Sequence, residues 1–214
     1  MAWRKMRLSR VDRMIRPSLK TIMRRATHSL CLGLLLFLML FLTIAPTGSA
    51  AGYERAIVQY KIPPVTLVNQ EGEKIEFDKL LNADKPVILD FIYGTCTTIC
   101  PVLSIGFSHF QKKLGAEAQS VQLVSISIDP DNDTPLIMKE YLERYNAQPG
   151  WDFLTGKRED IFQVMEAFDA VVTNKMDHYP LTFLHLPGTS QWVRINQLLA
   201  TAELMEEYKL LLKK

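Results

Sequence analysis

The sequence predicts an α/β chain with a mixed central sheet flanked by helices and an N-terminal β-hairpin. Three observations carry this expectation. Residues 86–93 (PVILDFIY) form a nearly unbroken apolar run, the pattern of a strand buried on both faces of a sheet. Strand-like and helix-like blocks alternate through the middle of the chain, which implies parallel strands joined by crossover helices. Two late strands around Pro187-Gly188 imply an antiparallel edge hairpin.

Taken in order, residues 65–68 and 74–77 flank Asn69-Gln-Glu-Gly72, a hairpin and its turn. Residues 78–82 read as a short helix. After the 86–93 strand comes a cysteine loop. Pro101 then starts a helix to about Leu114, because a proline in the first turn removes no intrahelical bond. Residues 121–128 (VQLVSISI) are the next strand and 129–133 a loop. Thr134 caps a helix that Pro135 opens and that lasts to about Tyr145. Residues 151–154 form a short strand. The 158–168 stretch fits a helix with Ile161, Phe162, Met165 and Phe168 on one side. Strands 181–186 and 192–195 make the last hairpin, and 201–212 a closing amphipathic helix.

Residues 1–51 read as an export signal or membrane anchor, ahead of one domain at 52–214. The first 29 residues carry nine Lys/Arg against the single acid Asp12, and an unbroken apolar stretch from Leu30 to Phe41 extends through Ile44 to Ala45. Small residues follow, up to a cleavage position near Ala50. An apolar stretch of 16 residues is short for a membrane span, which needs about 20. Cleavage near Ala50 is therefore the first expectation, and retention as a membrane tether through 30–45 the alternative. A start at Met23 would leave an ordinary signal of 28 residues, 23–50. Either way the domain is expected in the periplasm or otherwise exported, soluble or tethered by an N-terminal helix. The domain holds 16 Lys/Arg against 22 Asp/Glu, a net −6, which argues against nucleic acid as a partner.

Cys31 lies in the apolar stretch, so the domain keeps only Cys96 and Cys100, in GTCTTICPV (94–102). The pair sits between the carboxyl end of a buried strand and the amino end of a helix, where sites gather in open α/β sheets. Free amides and the helix dipole there favour thiolates, so both sulfurs are expected to be acidic and accessible. A structural disulfide closing so short a loop would contribute only about 2 kcal/mol. Of the histidines, His109 and His185 read as structural, and His178 alone would read so too.

FIYGTCTTICPV (91–102), SISIDPDNDTP (125–135), a helix with Tyr141, FLTG (153–156) and DHYPLTFL (177–184) together resemble the Sco/SenC family. The blocks keep their order and spacing over most of 60–212. The resemblance implies a thioredoxin-like fold and copper bound by Cys96, Cys100 and His178, as Cu(I) and alternatively Cu(II). It also implies a role in assembling the copper centre of cytochrome c oxidase, with an oxidase subunit or another copper or thiol protein as partner. Some members are thiol–disulfide reductants, and in that reading Cys96 and Cys100 are the redox pair. The chemistry agrees with copper: two thiolates and an imidazole are a soft, three-coordinate set suited to Cu(I), whereas structural zinc takes four ligands. Asp177 and Asp129 are candidates to orient these ligands. Asp133, Thr134 and Pro135 read as the start of a helix, and Met176 as a rim or core methionine that is also a soft donor by type. Two departures stand out. Thr97-Thr98 replaces the Pro-Asp pair of many relatives, and Pro180 precedes a strand where thioredoxin-like reductases carry a cis proline. A cis Tyr179–Pro180 bond is the expectation that follows.

Overall fold

The computed structural model describes residues 52–213. The export signal or anchor expected at 1–51 lies outside them. Among the described residues the strands are β1 (Arg55–Val58), β2 (Thr66–Val68), β3 (Lys74–Glu76), β4 (Val87–Ile92), β5 (Gln122–Ser127), β6 (Trp151–Leu154), β7 (Thr182–His185) and β8 (Trp192–Ile195). The helices are α1 (Phe77–Leu81), α2 (Ile99–Leu114), α3 (Pro135–Arg144), α4 (Arg158–Ala167) and α5 (Thr201–Leu211).

Six strands form one mixed sheet in the order β1-β8-β7-β4-β5-β6. β4, β5 and β6 run parallel, as the crossovers require; β7 lies antiparallel to β4, and β1 and β8 continue that side. β2 and β3 form the separate N-terminal hairpin. Every residue of β4 is buried, because strands and helices cover it on all sides. Its alternation divides the core. Ile88 and Ile92 face a cluster with α2, α3 and α5, including Phe107, Phe110, Tyr141 and Tyr208. Val87, Leu89 and Phe91 face α1, α4, Phe168 and Trp192.

Three expectations are corrected. The β7–β8 hairpin is not the sheet edge, because β1 pairs with β8 and covers it. β1 escapes a sequence reading since its four residues are only partly covered and carry no alternation. Phe162 is 48% exposed; α4 buries Ile161, Val164 and Met165 instead, the three-and-four spacing that a single stripe allows. Finally, α2 begins at Ile99 and so includes Cys100. Pro101 is tolerated in that first turn because the first four amides have no intrahelical acceptor anyway.

Candidate metal centre

The chain leaves β4 at Ile92 and turns through Tyr93 and Gly94 into the cysteine loop. The turn is gripped from β5 and the start of α3. The Gly94 amide donates to both carboxylate oxygens of Asp133, at 3.1 and 3.2 Å, and the Ser127 hydroxyl donates to the same carboxylate at 2.5 Å. A β-carbon on Gly94 would lie 2.8 Å from Asp133 Oδ1, so the close approach needs glycine. Asp133 was expected only to start a helix. It is buried, and it holds the cysteine loop against the sheet. Thr134 does cap α3, accepting from the Ile137 amide.

Cys96 closes a turn by donating its amide to the Tyr93 carbonyl at 3.2 Å. Cys100, in the first turn of α2, points into the core and is fully buried. His178 arrives from a distant stretch, at the end of a 3₁₀ turn over Lys175–Asp177. Its Nδ1 donates to the Lys175 carbonyl at 2.8 Å. A carbonyl can only accept, so the proton is on Nδ1 and the Nε2 lone pair is free. Nε2 stands 3.1 Å from Cys100 Sγ and accepts from that thiol. Burial holds the imidazole below its ordinary pKa, which keeps it neutral near pH 7. The two sulfurs and the imidazole nitrogen all lie within 4.8 Å of one another.

The two thiols differ sharply, against the expectation that both are acidic. Burial alone would raise Cys96. The Thr98 hydroxyl at 3.5 Å and the amides of Cys100 and Thr98 outweigh that and bring its pKa down to about 7. Burial drives Cys100 the other way, and the neighbouring Cys96 and Asp90 add to the rise. The helix terminus is therefore spent on one sulfur, and desolvation decides the other.

Asp129 touches none of the three ligands and meets the site through Lys175. Its carboxylate holds Lys175 Nζ at 2.5 Å, and Lys175 is the residue whose carbonyl fixes His178. The Lys175 ammonium also lies 5.2 Å from the Tyr93 ring centroid, and Tyr93 meets the imidazole edge-on at 5.1 Å. Asp177 is exposed, and the partner of His178 Nδ1 is the Lys175 carbonyl. The Tyr179–Pro180 bond is trans, the ordinary preference for an X–Pro bond by about 0.5–1 kcal/mol, so the likeness to a cis-proline reductase falls away.

The SCO1/SenC family model matches residues 56–211. The chain belongs to the SCO1/SenC family. A SCO1 protein homolog of Bacillus subtilis (strain 168) is 34% identical over 118 residues, covering 54% of this chain and 60% of that protein. A SCO2-like protein of Rickettsia conorii is 31% identical over 102 residues, 48% of each chain. The match thus spans about half to three fifths of these relatives' own length. Among solved structures, BsSco, from work identifying a disulfide switch in a member of the Sco family of cytochrome c oxidase assembly proteins, is 28% identical with a TM-score of 0.60, over 71% of this chain and 93% of that one. Bradyrhizobium japonicum ScoI, solved with copper bound, is 27% identical with a TM-score of 0.57, over 71% and 99%. The fold is the thioredoxin-like fold of these Sco structures.

In this SCO1/SenC member, sequence reasoning missed Tyr93, Lys175 and Asp90. Asp90 had a signal: it is the one charge in an apolar run. Strand alternation puts it on the face of Ile88 and Ile92, beneath α2. It is fully buried, and no hydrogen bond of ordinary geometry reaches either oxygen. Burial lifts its pKa to about 7, only partly offset by the Ser125 hydroxyl, its register partner on β5. His185 is structural as expected, stacked 4.3 Å from Trp192 with Nδ1 donating to the Gln191 carbonyl.

Proposed function

We propose that this chain carries copper as cargo on Cys96, Cys100 and His178 and delivers it during assembly of the copper centre of cytochrome c oxidase. The observation that carries this reading is the meeting of two sulfurs and one free imidazole lone pair within 4.8 Å. That donor set is soft and three-coordinate, the chemistry of Cu(I). The copper-bound ScoI relative and the oxidase-assembly description of BsSco support it.

The residues divide the work. Cys96 supplies a thiolate near neutral pH, held by Thr98. Cys100 loses its proton only as the ion binds, so loading releases a proton. His178 needs no proton transfer, since its lone pair already faces Cys100. Delivery proceeds by ligand exchange onto donors of the recipient. Oxidation of the two thiols to a disulfide would end binding, because a disulfide offers no thiolate.

A second reading, reduction of a partner's disulfide, draws on the split thiol acidities. The Cys96 thiolate would attack the partner disulfide and expel one partner thiolate. Cys100, deprotonating, would then displace the second, leaving this pair oxidised and the partner reduced by two electrons. Competitive titration of the reduced domain with Cu(I) separates the two. The copper reading expects 1:1 binding that weakens about 10-fold or more in His178→Ala. Affinity indifferent to that substitution, together with turnover of a disulfide substrate, would establish the reductase. We also propose an exported location, on the basic and apolar pattern of 1–51. Mass spectrometry of the cellular protein's N-terminus tests it: a chain beginning near 51 is cleaved, one retaining 30–45 in the membrane fraction is tethered, and a cytosolic chain retaining 1–51 would refute export.

A further inference from the structure

We infer that Met176 is an outward-facing exchange ligand for Cu(I), poised at the mouth of the Cys96–Cys100–His178 site by Tyr93. This rests on the copper reading above and adds a fourth donor to it.

The three donors are enclosed. Cys100 is fully buried, Cys96 is 6% exposed and His178 is half-buried. Tyr93, itself buried, stands against the imidazole. An ion passing between this site and a recipient therefore leaves a shielded position for an open one. Met176 is 66% exposed and carries a soft thioether. Exposure alone says little, since lone surface hydrophobes are ordinary. The decisive contact is the Tyr93 hydroxyl, which donates to Met176 Sδ at 3.2 Å. A buried tyrosine hydroxyl usually finds an oxygen acceptor, and a thioether is a weak one. Here that donor is spent on fixing a sulfur. The ring of the same tyrosine touches His178 and its backbone carbonyl accepts the Cys96 amide, so one residue connects the thioether to the imidazole through its side chain and to the Cys96 turn through its main chain.

The backbone adds to this. Met176 and His178 share one 3₁₀ turn and its cap, with the Met176 amide bonded to Asn174 Oδ1 and Lys175 clamped to Asp129. Sulfur uses one lone pair for the Tyr93 hydrogen bond and keeps the other for a metal. The exchange balances without protons or electrons. The Cu–Sδ bond forms as the Cu–Nε2 bond breaks; both ligands are neutral, so the ion with its two thiolates stays at net −1. Copper is then on the solvent side of the imidazole, within reach of an incoming donor. The reverse sequence serves loading.

The test labels methionine methyl groups with ¹³C in the reduced domain and adds Cu(I). The Met176 methyl resonance, assigned by its loss in Met176→Leu, should move with one equivalent of the ion. Stopped-flow exchange with a copper chelator should slow about 10-fold in Met176→Leu, for loading and release alike. Tyr93→Phe, which keeps the ring and frees the sulfur, should slow exchange in the same direction by less. A 1:1 Cu(I) complex with an unmoved Met176 resonance, or wild-type exchange rates in Met176→Leu, would overturn the inference and leave the copper reading standing. A wild-type domain that binds no Cu(I) would overturn both.

Discussion

At the scale of single residues, the chemistry is set by what burial does to ionisable groups. Asp90 is the clearest instance. Its carboxyl ordinarily titrates near 3.8, and in the fold it titrates at about 7. The native state thus prefers the neutral acid. This group's stability penalty is absent below about pH 4, grows as pH rises, and is complete above about pH 7. The rise from 3.8 to about 7 corresponds to roughly 4 kcal/mol, and no solvent reaches the group to screen it. Asp90→Asn should therefore be more stable than wild type by a few kcal/mol at pH 8. That advantage should fade towards pH 4. Urea unfolding of both proteins across this range checks it, and a difference that does not change with pH would refute it. A fold that keeps such an acid under Cys100 holds a group able to exchange a proton near neutral pH where one thiol must lose its own.

At the scale of elements, the site depends on a junction more than on any helix. β4 ends, α2 begins, and the loop between them is pinned from outside by Asp133 on the approach to α3. Local propensity explains the strand, the helix and the prolines. It does not explain why Gly94 is glycine, because the reason lies 39 residues away in a carboxylate that accepts its amide. Gly94→Ala forces a β-carbon to 2.8 Å from Asp133 Oδ1 and 3.3 Å from Ile137 Cγ2, and the Asp133 carboxylate is itself tied down by the Ser127 hydroxyl. Overpacking of this kind costs about 1–3 kcal/mol. The displaced loop should also weaken Cu(I) binding, since Cys96 hangs from the same turn. Thermal unfolding and Cu(I) competition measure the two effects. Wild-type values in both would show that the turn is not held as tightly as its hydrogen bonds imply. The turn over Lys175–Asp177 is the matching device on the other side, where Asp129 and Tyr93 hold Lys175 and a backbone carbonyl selects the histidine tautomer.

At the scale of the whole molecule, the ends of the described domain are joined. Glu207 on α5 is buried and accepts from Tyr53 Oη at 2.8 Å and from Arg55 Nε at 2.8 Å. β1 is thereby tied to the last helix as well as to β8. Arg55 keeps some solvent, which moderates the Coulomb energy of the pair. Glu207→Ala should still cost on the order of 2–3 kcal/mol, because two charge-assisted bonds are lost around a buried position. Chemical denaturation measures that loss, and a cost under about 0.5 kcal/mol, the scale of a plain surface substitution, would show the link to be incidental.

Much of this was already determined by the sequence alone: the order of strands and helices, the placing of Cys96 and Cys100 at a strand–helix junction, the proline and threonine that start α3, and, through the block pattern, the family. These follow from period, turn chemistry and capping, which act over a few residues. The tertiary structure decided the rest. It moved the β7–β8 hairpin inside the sheet, exposed Phe162, made Asp133 a clamp, left Asp177 exposed, and split the two thiols in acidity. It also brought His178 to Cys100 across 78 residues, with Lys175, Asp129 and Tyr93 to hold it. Desolvation and long-range hydrogen bonding depend on what else occupies the surroundings of a group, and no local stretch of chain contains that information.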